Sequence, residues 1–263
     1  MDYRNETPLA EEIRACTGEF HPKTRAIWER YAPEEYWYGE LLLHTYRSLT
    51  DEGDAPISAA AGVELFRAYG LTRERSPEVP PDDVTGCDSA TLLAGDRLLS
   101  TSFARISSEH GEAETLQQAI RMVSHATRRL GAGLEHDGGF GASGLETGEK
   151  SAPVVTGAVT GQLVVDLARV LSGTDHAVDA PALTAAGSSV GIAVAKLSHG
   201  SSDSRIVMDT DGGHHPTDQW LGTSIRECIA SARRQFARAY ETVPPSVATY
   251  LDQLETEADT FFE

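Results

Sequence analysis

The chain has 263 residues, 40% of them hydrophobic, enough to fill a sizeable core in one large or two small domains. Its formal charge is −18, from 40 acidic and 22 basic residues, and no run of Lys and Arg interrupts it; nucleic acid and anionic membrane surfaces, which draw basic stripes, are excluded as partners. Only Lys23, Lys150 and Lys196 are lysines, and so acidic a chain repels itself unless salt near 1 M shortens the Debye length to roughly 3 Å, so the composition predicts an extreme halophile.

Almost every long segment carries the helical period and none sustains strand alternation, which predicts an all-α protein of about nine or ten helices. No linker divides it, so one domain over 1–263 is expected. The opening MDYRNETPLAEE lacks a basic stretch followed by an apolar one, so no signal peptide is expected and the protein is read as soluble and cytoplasmic. Thr7 and Pro8 open the first helix in cap and first-turn order, and Pro33 opens another through Glu34, Tyr38, Leu41, Leu42 and Tyr46. A helix over 57–75 follows, whose second half from Val63 reads as amphipathic and ends on Arg73, Glu74 and Arg75. Pro77, Pro80 and Pro81 break the chain, and Asp88 caps a helix with Leu92, Leu99, Phe103 and Ile106 on one face.

Helices over 112–135 and 152–171 flank the loop HDGGFGASGLETGEK; Gln162, Asp166 and Arg169 make the second a poor membrane span. Another is expected over 181–197. After SHGSSDSRIVMDTDGGHHPTD, a helix over 219–240 aligns Leu221, Ile225, Ala232 and Phe236, and Pro244 or Pro245 opens the last.

Several motifs fail on context. Gly139, Gly141 and Gly144 spell GxGxxG with no strand before them, and GLETGEKS misses phosphate-loop spacing by one residue. Asn5-Glu6-Thr7 has no secretory context for glycosylation. Asp209, Asp211, His214 and His215 could supply ligands to a cation, but their glycine- and serine-rich setting reads as a solvated loop. Cys16, Cys87 and Cys228 are odd in number and far apart, which suits reduced thiols.

At TLLAGDRLLSTSFA the pattern becomes more specific. Leu93-Ala94-Gly95-Asp96 within a helix, followed by Leu98, Leu99 and Phe103, resembles the LAGD helix of polyprenyl synthetases. The stretch before it, APISAAAGVELFRAYGLTRER, is similar to the family's APAAAVELIHAYSLIHDD with one extra residue. AAGSSVGIAVAKLSHGSSD is similar to its YAESLGLAFQIQDDILD, and ASARRQFARAYETVPPSVATYLDQL to its final pair of helices. The resemblance implies the isoprenoid synthase fold, a helical bundle around a central cavity in which isopentenyl and allylic diphosphates are joined. It also implies Mg²⁺ held by two Asp-rich clusters, because hard carboxylates suit a small cation that bridges phosphate oxygens. A dimer through the LAGD region is implied too, with Leu92, Leu99 and Phe103 as interface or as core.

The chain departs from that family at its chemistry. The leading aspartates of the first cluster fall on Glu74 and Arg75, and those of the second on Ser198 and His199. The basic GKRLRP motif is replaced by YGELLLHT, the arginine pair and threonine-histidine feature after the first cluster are absent, and Gln162 and Asp166 are one residue further apart than in GQxxD. Three readings follow. In the first, the protein is a catalytically degenerate, non-catalytic or regulatory subunit with no cofactor, partnered by a catalytic prenyl synthase or by itself. In the second it is a prenyltransferase that uses Mg²⁺ through Asp82, Asp83 and Asp88, with Asp203, Asp209 or Asp211 as the second cluster. In the third, Arg67, Arg73 and Arg75 grip an isoprenoid diphosphate without metal, beside Tyr69, Asp96 and Gln162.

Overall fold

The computed structural model describes residues 7–32, 35–50, 54–73, 89–109, 112–135, 152–174, 178–206 and 216–262. Among the described residues there are ten helices and no strand. In chain order they are α1 (Pro8–Gly18), α2 (Pro22–Tyr31), α3 (Trp37–Leu49), α4 (Ile57–Thr72), α5 (Ser89–Ser107), α6 (Ala113–Glu135), α7 (Ala152–Leu171), α8 (Ala180–Ile206), α9 (Pro216–Tyr240) and α10 (Pro245–Phe262). All ten contribute side chains to one continuous apolar core.

Helix α1 starts as the sequence predicts: the Thr7 hydroxyl accepts the Ala10 amide at 3.2 Å, with Pro8 in the first turn. Helix α2 was not foreseen, because Trp28 is its one buried side chain and so little apolar periodicity marks it. Pro33 lies outside the described residues, and the helix assigned to it begins at Trp37. The polar stretch expected after 197 is helical through Ile206, and α9 begins at Pro216.

Two expectations about faces are corrected. The helix expected over 57–75 ends at Thr72, and it is buried all round instead of amphipathic, with Glu64 at 0% and Arg67 at 6% exposure. It runs between α5, α3, α1 and α7, so it has no solvent face to offer. On α5 the buried stripe is Ala94, Gly95, Leu98, Ser102 and Ile106, whereas Leu99 and Phe103 are only partly buried. Ala94, Gly95 and Ser102 share that stripe with Leu98 and Ile106, and of the four residues expected on one face Ile106 alone is fully buried.

Helices α7 and α8 form the centre through direct backbone contact. A Cβ placed on Gly161 would lie 2.0 Å from the Gly187 carbonyl oxygen, and one on Gly191 would lie 1.9 Å from that of Gly157. Only glycine at 157, 161, 187 and 191 lets the two helices approach this closely. Val154–Leu171 and Ala180–Ser198 are long and apolar enough to cross a membrane, yet 78% and 67% of them are buried inside the protein. Their apolar character serves the core. The Tyr38 hydroxyl donates to the Gly191 carbonyl at 3.0 Å, and the Tyr250 hydroxyl to that of Trp37 at 3.1 Å, tying α3 to α8 and α10.

Candidate functional site

Two of the arginines singled out from the sequence, Arg67 and Arg73, lie on or just past the second half of α4. Arg73, just past the last turn, pairs with Asp96 of α5 and lies 5.0 Å from the centre of the Tyr69 ring. Tyr69 in turn leans on Phe66, ring centres 6.1 Å apart. Gly95 permits the approach of the two helices, since a Cβ there would meet the Thr72 hydroxyl at 2.4 Å. Arg73 is thus held from both sides.

Arg67 is buried instead of reaching toward that end. Its guanidinium donates to the Tyr31 carbonyl at 3.2 Å and lies 5.9 Å from the centre of the Tyr38 ring. One turn earlier, Glu64 accepts the Gly39 amide at 2.8 Å, and thereby caps the start of α3, where Tyr36 offers no side-chain cap. Burial lifts the Glu64 carboxyl to about 7, against the attraction of Arg67 and the hydrogen bonds from Gly39 and Tyr38.

The second expected cluster falls on the last described side chains of α8. The Ser198 hydroxyl donates to the Val194 carbonyl at 2.9 Å, and the buried ammonium of Lys196 donates to Ser224. Glu74, Arg75, Asp82, Asp83, Asp88, Asp209, Asp211, His214 and His215 lie outside the described residues, as do the side chains of His199 and Asp203. Among the described residues, no three His, Cys, Asp or Glu side chains converge. An arginine paired with the nearest carboxylate and a serine turned back on its own helix are not ligands for Mg²⁺, so the described residues at these two ends do not fit the ion.

A third region joins residues that sequence reasoning treated separately or missed. Between α6 and α7 lies a cavity of about 530 Å³. Its polar lining is Gln118, Arg121, His125 and Arg129 of α6 with Gln162 and Asp166 of α7; Met122, Ala126, Val159 and Leu163 supply the apolar part. Arg129 donates to the Gln162 side-chain oxygen, and Asp166 accepts the Thr184 hydroxyl at 2.8 Å. Burial raises the Asp166 carboxyl above its ordinary range, opposed by the Thr184 hydrogen bond and by Arg169, Arg129 and His125. Burial likewise lowers Arg129, with Asp166 pulling it back. Gln162 and Asp166 therefore do share a site, but its cations come from α6. The legible signal is their helical spacing: Gln118, Arg121, His125 and Arg129 recur every three or four residues, with no Asp or Glu between Thr115 and Leu134.

No family model matches the sequence, and no curated protein does. Solved structures do match along nearly the whole chain. A geranyltranstransferase from Methanosarcina mazei is 15% identical, with a TM-score of 0.63 over 98% of this chain and 99% of the other. A geranylgeranyl pyrophosphate synthetase from Pyrococcus horikoshii is 18% identical, with a TM-score of 0.64 over 97% and 94%. A geranyltransferase from Helicobacter pylori, complexed with magnesium and isoprenyl diphosphate, is 14% identical, with a TM-score of 0.64 over 94% and 95%. At such identities the likeness is one of architecture, and it establishes that this all-α chain has the isoprenoid synthase fold.

Proposed function

We propose that this chain is a non-catalytic protein of the isoprenoid synthase fold, serving isoprenoid biosynthesis as a partner or regulatory subunit, cytoplasmic and joined to a catalytic prenyl synthase or to a second copy of itself. The observation that carries this reading is the Arg73–Asp96 pair stacked on Tyr69 at the end of α4. A carboxylate there is neutralised by a fixed guanidinium, which repels a divalent cation. Loss of an allylic diphosphate builds negative charge on the leaving group, and metal neutralisation of that charge is worth several kcal/mol, at about 1.4 kcal/mol per tenfold in rate. The turn of the Ser198 hydroxyl onto Val194 supports the same reading at α8.

The test is incubation of the full chain with isopentenyl diphosphate and allylic diphosphates, with Mg²⁺ in molar salt, paired with co-purification from its own cells. No prenyl transfer and a stable association with an active prenyl synthase are expected. A metal-dependent prenyl product overturns the reading and returns the role to Asp82, Asp83 and Asp88.

A further inference from the structure

We infer that the cavity between α6 and α7 is a metal-independent binding site for a small organic phosphate, with its phosphoryl head on Arg121, His125 and Arg129 and a short apolar body against Met122, Val159 and Leu163. The first support is charge. In a chain of formal charge −18, this face of α6 carries cations and no acid, against the trend of the whole surface. The second is spacing. Arg121, His125 and Arg129 fall four residues apart, so each rises about 6 Å along the helix from the last, close enough for neighbouring side chains to converge on one phosphoryl group.

The third support is preorganisation. The amide oxygen of Gln162 fixes the Arg129 guanidinium across the cavity, so that donor keeps its orientation before any ligand arrives. Arginine is the residue suited to this task, because its planar fork matches phosphate oxygens. Asp166 is the one lining carboxylate that opposes an anion. It is turned to the Thr184 hydroxyl and faces Arg129 and Arg169, which offset its charge. The fourth is size and a mixed lining: about 530 Å³ lies within the roughly 300–1,000 Å³ of small-molecule sites, and apolar side chains from both helices, Met122 and Ala126 of α6 with Val159 and Leu163 of α7, stand beside the cations of α6. A bare inorganic anion would leave those apolar side chains unused.

The site is independent of the Arg73 region, so it stands or falls separately from the proposed non-catalytic role. Calorimetry of the full chain in chelator, with hexyl phosphate and with inorganic phosphate as probes, tests it. Hexyl phosphate is expected to bind more tightly than inorganic phosphate, and Arg121→Gln and His125→Gln are each expected to weaken it by roughly tenfold, the loss of one charge-assisted contact. Arg128→Gln, an exposed neighbour outside the cavity lining, is expected to leave binding unchanged and so guards against a general charge effect. The inference is overturned if hexyl phosphate binds no better than inorganic phosphate, if Arg128→Gln weakens it as much as Arg121→Gln, or if the chain is retained on phosphatidic acid vesicles while ignoring hexyl phosphate.

Discussion

Replacing Glu64 by Gln isolates the most deeply buried carboxyl in the described part of the chain. Its exposure is 0%, and it accepts the Gly39 amide at 2.8 Å. With its folded pKa raised from 4.5 to about 7, the native protein keeps a proton that the unfolded chain releases. The sign follows directly. The stabilisation is complete below 4.5 and is lost as pH rises through about 7. At about 1.4 kcal/mol per tenfold in proton affinity, that interval amounts to about 3 kcal/mol. Gln keeps the acceptor for Gly39 and cannot ionise. Arg67 stays buried in both proteins and at both extremes, so its own burial cost cancels from the difference between them. Guanidinium unfolding followed by circular dichroism, from about pH 4 to about pH 8, is therefore expected to show Glu64→Gln gaining about 3 kcal/mol on the parent chain. Some slope remains in the variant, because burial raises Glu40 and Asp166 in the same direction. Parallel pH profiles for the two proteins would refute the reasoning.

Gly161→Ala places a methyl 2.0 Å from the Gly187 carbonyl and is expected to cost about 3 kcal/mol, the upper end of ordinary overpacking, read as a fall in Tm of roughly 5–10 °C. Gly131→Ala in α6 meets nothing within 4 Å and is expected to raise stability by about 0.5–1 kcal/mol in the same melt; equal effects at the two positions would remove the case for backbone contact between α7 and α8. Cys16 is buried and its thiol is pushed up to about 11, so peptide mapping after alkylation is expected to find it unlabelled in native protein and labelled in denaturant. With a formal charge of −18, the chain is expected to melt at higher temperature in molar NaCl than in dilute buffer; a flat response would argue against the halophile reading.

What the sequence made legible was local. The Thr7-Pro8 pair announces a helix start through side-chain chemistry that needs no partner, and Pro245 does the same for α10. Contacts between distant faces were not legible. Glu64 falls in a stretch whose pattern reads as amphipathic, and it proves to cap α3 from inside the core; nothing in VELFRAYG says that a second helix start will be delivered to it. The run Ala59 to Ala61, apolar without a period, was the available sign that α4 is buried on every side. On α5 the expected face of Leu92, Leu99, Phe103 and Ile106 holds fully only at Ile106, because size was taken for burial, whereas Ala94 and Gly95 lie on the buried stripe, Gly95 against Thr72. The cavity is half visible in the sequence, since a family pattern picks out Gln162 and Asp166 while no motif marks Arg121, His125 and Arg129.

The same distinction bears on how a chain can depart from a fold's chemistry while keeping its architecture. Helices α7 and α8 are registered by glycine backbone contacts near their middles, and α3 is held by hydrogen bonds with Gly191, Tyr250 and Glu64. None of these contacts involves the residue after the last turn of α4 or the Ser198 end of α8. An exposed pair such as Arg73 and Asp96, with the aspartate 65% exposed, contributes at most about 1 kcal/mol to folding. Loss of that pair is therefore nearly free for stability. The glycine seam carries the opposite weight, because a methyl at Gly161 or Gly191 would part the central helices whatever the protein is used for.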